Sequence, residues 1–175
     1  MKLQSDGNSG YFRSLGPAFA LLLALAPVAR AQDIGLEIGS TAPGAKVETL
    51  DGQPADLASI VGKKPVVMEF WATWCGNCEE PEPTMRAMHA KYGDRVAFAG
   101  IAVSVNQTPA RVKAYVERHK LPWLQFFDRR GEASGAYDAP ATSYVVIVNA
   151  AGKVVYTGLG GKQDLESAIR KALGS

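Results

Sequence analysis

The sequence predicts an α/β sandwich built on a mixed central sheet, and three observations carry that prediction. Two continuous apolar runs, Val66-Val67-Met68-Glu69-Phe70-Trp71 and Val96 to Val105, read as strands buried on both faces. Segments of helical character follow each run, as parallel strands require. Near the end, Ser143–Val148 and Lys153–Tyr156 flank the turn sequence Asn149-Ala150-Ala151-Gly152, which predicts an antiparallel hairpin. The order βαβα(β)α and then ββα therefore gives three layers with both strand orientations in the middle one.

The elements follow in chain order. Leu15 to Val28 is a 14-residue apolar stretch preceded by Lys2 and Arg13 and followed by Ala29-Arg30-Ala31, a small-residue cleavage pattern. It predicts a secretory signal peptide over 1–31, since a membrane span wants about 20 apolar residues. An uncleaved anchor is the other reading. No cysteine precedes Gln32, which argues against acyl anchoring of the mature N-terminus. Residues 32–41 are expected as a leader and 42–175 as one domain. Removing 1–31 leaves 144 residues, enough for a proper core. It also takes away three of the 19 basic residues and one of the 17 acidic ones, so the remaining chain is neutral. No basic stripe is present, which argues against a nucleic-acid partner.

Asp51-Gly52 marks a turn inside a small hairpin over 45–55, ahead of the main fold. Asp56 to Val61 reads as a helical turn ended by Gly62, and 66–71 as the first central strand. A helix from Gly76 to Tyr92 carries Met85, Met88 and Tyr92 on one face, and Gly93-Asp94 ends it. Thr108-Pro109 reads as N-cap and first residue of a helix with Val112, Tyr115, Val116 and His119 inward. Trp123 to Phe127 is expected as strand and Arg130 to Tyr137 as a short irregular helix. Leu165, Ala168, Ile169, Ala172 and Leu173 make the stripe of the last helix, closed by Gly174.

The chain has two cysteines, three residues apart in Trp74-Cys75-Gly76-Asn77-Cys78 at the end of the first buried run. At the start of a helix the free amides and the dipole favour thiolate on the first sulfur, the form that attacks a disulfide. A structural zinc site needs about four ligands, and His89 and His119 lack ligand spacing to the pair. A disulfide closing four residues constrains the unfolded chain little. The pair therefore reads as an electron-exchange site.

With these residues in view, the chain resembles the thioredoxin superfamily, and within it the exported TlpA/ResA-type thiol-disulfide oxidoreductases. The stretch Gly62 to Cys78, and above all Phe70-Trp71-Ala72-Thr73-Trp74-Cys75-Gly76-Asn77-Cys78, carries the resemblance, with Pro83 in the place of the family's helix-kinking proline. It covers roughly 39–174 and implies a thioredoxin-like three-layer sandwich with an N-terminal β-hairpin extension. It implies Cys75 as attacking and Cys78 as resolving thiol of a redox-active disulfide. Trp74, Gly76, Asn77, Ala139 and Pro140 are implied as the substrate-binding surface, with Pro140 in a cis peptide facing the sulfurs. Glu69 stands where thioredoxins carry a buried acid, and a desolvated carboxyl there would take the proton of Cys78. The family often has Glu three residues after the second cysteine; here that position is Pro81, flanked by Glu80 and Glu82.

The resemblance implies reduction of disulfides in exported proteins, for example in cytochrome c or copper-site maturation, in the periplasm or another extracytoplasmic compartment. A membrane electron donor of thiol type would recharge the pair, and no cofactor or metal is expected. An oxidase or isomerase is the alternative within the class, and a copper metallochaperone the alternative outside it. A thiol peroxidase would want Thr where Ala72 stands. Trp71 and Trp74 are expected at the site rim, His119 at a helix C-terminus and His89 on the surface.

Overall fold

The computed structural model describes residues 35–174; the expected signal segment and the start of the leader lie outside the described residues. Seven strands form one mixed sheet in the order β2-β1-β5-β4-β3-β6-β7. They are β1 Lys46–Thr49, β2 Pro54–Asp56, β3 Val66–Trp71, β4 Ala97–Val103, β5 Leu124–Asp128, β6 Tyr144–Val148 and β7 Val154–Leu159. β3, β4 and β5 are parallel, and β6 and β7 add antiparallel on one side. Helices α1 Gly76–Glu79, α2 Glu82–Tyr92, α3 Pro109–His119, α4 Glu132–Ala136 and α5 Leu165–Leu173 complete the chain. The α/β three-layer fold is thus the one expected.

All six residues of β3 are buried, because successive side chains enter different layers. Val66, Met68 and Phe70 join Ile101, Tyr144 and Val146 in one core, closed by Leu57, Ala133 and Tyr137. Val67 points the other way, into a core that α2 supplies with Met85, Met88 and Tyr92 and α5 with Leu165, Ala168, Ile169 and Ala172. Trp71 shares that second face with Ala102, Phe127 and the α3 residues Val112 and Tyr115, next to both cysteines.

Two elements depart from expectation. The hairpin expected ahead of the fold is part of the main sheet. β1 pairs antiparallel with β5 at Glu48–Phe127 and Thr49–Phe126, and Arg129 closes the edge with a 2.7 Å ion pair to Glu48. The helix expected over 76–92 is two helices, because Pro81 interrupts it. Pro83, expected to kink it, sits in the first turn of α2, where a missing N–H costs nothing. The described end of the leader lies along the domain: Gly39 donates to the carbonyl of Val154, and Thr41 bridges to Lys153.

Candidate active site

β3 ends at Trp71, and four residues on, Cys75 is the N-cap of α1 with extended backbone (φ −86°, ψ 100°). This strand-to-helix turn puts both cysteines in the cluster of Trp71, Ala102, Val112, Tyr115 and Phe127, each 8% exposed. They form a disulfide with Cα atoms 5.3 Å apart, so the oxidised form of the couple is the one seen. The turn is braced from the loop after β4: Thr73 N–H donates to Gln107 Oε1 (2.9 Å), and Trp74 Nε1 donates to the Val105 carbonyl (2.7 Å). Trp71 is buried and donates to Gln125 Oε1 (3.2 Å). A side chain at Gly100, which lies between Glu69 and Gln125 in the sheet register, would collide with that pair. Trp74 remains 45% exposed beside exposed Val105, and Gly76 and Asn77 are exposed between the sulfurs. These form the rim that a partner chain could reach.

Behind the disulfide, Glu69 is 6% exposed. It lines a small cavity with Cys78, Glu82 and Tyr115, walled by Trp71, Leu121 and Trp123. Its Oε1 has no hydrogen-bond partner among the described residues. Burial, and secondarily the Glu82 charge, push its pKa up to about 8. Glu82 is itself held by Arg86 (2.8 Å), with His119 Nδ1 at 3.4 Å. Arg86 also donates to the His119 and Lys120 carbonyls, tying α2 to the end of α3. Of the two acids flanking Pro81, Glu82 thus faces the cavity, while exposed Glu80 lies against Gly161.

The segment carrying Ala139 and Pro140 reaches the same turn through Ser143, whose Oγ donates to the Asn77 carbonyl at 3.1 Å. The expected cis bond is corrected. Among the described residues no peptide is cis, so Ala139–Pro140 is trans and Pro140 is exposed. The chain reverses instead through left-handed backbone at Asp138 (φ 45°) and Ser143 (φ 66°). Of the two histidines, His119 ends α3 as expected, its ring stacked on Tyr115 at 3.8 Å, whereas His89, expected on the surface, is half-buried with its ring 5.3 Å from that of Phe98. Left-handed Lys120 caps α3 after His119.

The sequence left open whether Glu82, four residues after Cys78, faces the site, and it gave no sign of Tyr115, Gln107 or Ser143 there, since these come from α3 and two loops that no spacing relates to the cysteines. Among the described residues no group of three or more His, Cys, Asp or Glu could hold a metal ion.

Comparison with known proteins agrees with this geometry. The Redoxin family model matches residues 37–173. The thiol-disulfide oxidoreductase ResA of Bacillus thuringiensis subsp. konkukian is 30% identical over 138 residues, 78% of this chain and 79% of that protein. The thioredoxin-like protein YneN of Bacillus subtilis is 26% identical over 141 residues, 79% of this chain and 82% of its own. Among solved structures, a thioredoxin-family thiol:disulfide interchange protein of Chlorobium tepidum superposes with TM-score 0.65 at 25% identity, covering 79% of this chain and 99% of that one.

Proposed function

The chain belongs to the Redoxin family of thioredoxin-like proteins and is a thiol-disulfide oxidoreductase, and from that premise we propose that it reduces disulfides of exported partner proteins. The observation that carries this reading is one cavity lined by both Cys78 and the buried Glu69, whose Oε1 has no partner among the described residues, beside a turn whose Trp74, Gly76 and Asn77 are exposed.

In the reduced protein the Cys75 thiolate attacks one sulfur of a partner disulfide. A Cys75–partner S–S bond forms, the partner's own S–S bond breaks, and the released partner thiolate takes up a proton. Cys78 then gives its proton to the Glu69 carboxylate, and its sulfur attacks Cys75. The second partner thiolate leaves, two electrons have passed to the partner, and the Cys75–Cys78 disulfide is restored. An acid with a pKa of about 8 is close to a thiol in proton affinity, so that transfer is nearly isoenergetic. Trp74, Gly76 and Asn77 with Ala139 and Pro140 supply the docking surface in this reading. A thiol-type electron donor in the membrane re-reduces the pair. The signal-like segment 1–31 and the ResA likeness support an extracytoplasmic setting, with cytochrome c or copper-site maturation as fitting work.

Trapping tests the assignment. Cys78→Ser should accumulate a mixed disulfide with partners in the exported fraction, and Cys75→Ser should not. Equal trapping by the two variants would overturn the assigned roles.

A further inference from the structure

In a continuous α-helix the Asn77 carbonyl would accept from the N–H four residues on. That residue is Pro81, which has no N–H to give. The orphaned carbonyl belongs to the peptide that joins Asn77 to Cys78, between the two sulfurs. It is satisfied from another part of the chain, by the Ser143 hydroxyl at 3.1 Å.

Ser143 is held in place for this contact. It is 1% exposed, and its backbone is left-handed (φ 66°), which is uncommon for serine. Its N–H donates to the Phe70 carbonyl at the end of β3 (2.7 Å), and its carbonyl accepts from Gly160 just past β7 (3.0 Å). Two strands therefore aim this hydroxyl at the active-site turn.

We propose that Ser143 is a positioning residue for the Cys75–Cys78 couple, supplying the donor that Pro81 removes and favouring the ionised form of Cys75 through the Asn77–Cys78 peptide. A peptide whose carbonyl accepts a hydrogen bond is more polarised, and its N–H becomes a stronger donor. That N–H is Cys78's, three residues into the turn capped by Cys75, where a helical amide faces the capping side chain. In the oxidised protein it donates to the Cys75 carbonyl at 3.0 Å. Once the pair is reduced, the charge on Cys75 gains from the same polarised amide. The pairing of Pro81 with Ser143 also explains how α1 tolerates a proline where its own backbone needs a donor.

The inference rests on the redox reading of the site, and a double-mutant cycle tests it. The pH profile of Cys75 alkylation by iodoacetamide is measured on the reduced protein and on Ser143→Ala, Ser143→Gly, Pro81→Ala and the two double variants. Glycine removes the hydroxyl while suiting the left-handed backbone, so it separates the hydrogen bond from conformational strain. With Pro81 present, both Ser143 changes should move the profile up by about half a pH unit, about threefold slower alkylation at pH 6. With Pro81→Ala, the new N–H serves the carbonyl and the same changes should move nothing. Unmoved profiles, equal shifts in both backgrounds, or a shift for alanine but not glycine would overturn the inference. Exchange of the unsubstituted protein with a model disulfide is measured alongside. Its absence would overturn the redox reading itself and the inference with it, while its presence beside unmoved profiles would remove the inference alone.

Discussion

At the scale of the residue, Glu69 is the group whose environment departs furthest from water. Its carboxyl keeps a proton up to about pH 8 in the fold, whereas an unfolded glutamic acid releases it near 4.5. Between those values the folded state binds more protons than the unfolded one, so stability falls as pH rises. The cost is absent below about pH 4.5 and complete above about 8, on the order of 5 kcal/mol. Glu69→Gln removes the titration while keeping the shape. Urea unfolding of the oxidised protein at pH 5, 7 and 9 should show a steep decline in the unsubstituted chain, a flatter one in Glu69→Gln, and the variant more stable at pH 9. Around neutral pH the rate of mixed-disulfide resolution should be lower in Glu69→Gln than in the unsubstituted protein. Parallel stability curves would mean that the carboxyl is not desolvated as described.

At the scale of the element, most helices end as their sequences dictate. Thr108 and Asp164 accept from the third residue ahead, and Gly174 closes α5 in the left-handed region. α4 is different, because five residues cannot hold a helix on their own. Fully buried Asp128, the last residue of β5, accepts from the N–H groups of Ala133 and Ser134 and from the Ser134 hydroxyl. Asp128→Ala would strand three donors at once. It should lower stability by about 2–3 kcal/mol, with Asp128→Asn in between, as read from denaturant midpoints. Loss of α4 would loosen Tyr137, whose ring lies 5.5 Å from that of Phe70 on β3. A near-neutral Asp128→Ala would show that α4 is held by packing alone.

At the scale of the whole molecule, a reduction potential is the difference between the stabilities of the oxidised and reduced folds. Glu79 and Glu80 on the cysteine turn, with Glu82 behind it, oppose negative charge on sulfur, while Glu69 keeps its proton near neutral pH. The residues between the cysteines add no cation to offset them. The potential should therefore lie nearer thioredoxin's (about −270 mV) than that of a strong oxidant (about −120 mV). Equilibration in glutathione buffers measures it, and denaturant unfolding should find the oxidised protein the more stable form. A value at the oxidising end would reverse the proposed direction of electron flow.

The local facts were decided by the sequence itself. Strand 66–71, the caps at Thr108 and Gly174, the Asp51-Gly52 turn and the redox pair all depend on neighbours within a few residues. Glu69 was legible too, because its place six residues before Cys75 in a buried strand already implied desolvation. What joined these pieces was decided only by tertiary structure. The hairpin could have stood apart until β1 paired with β5, about 78 residues further along. The break at Pro81 could be read from the chain, but its repair could not, since Ser143 lies 62 residues beyond. Glu82 stands four residues after Cys78, but Tyr115 reaches their cavity only through the packing of α3, which no spacing encodes. Periodicity and capping act within a turn or two of chain. Hydrogen-bond satisfaction and cavity lining are settled by whichever residues the fold brings together.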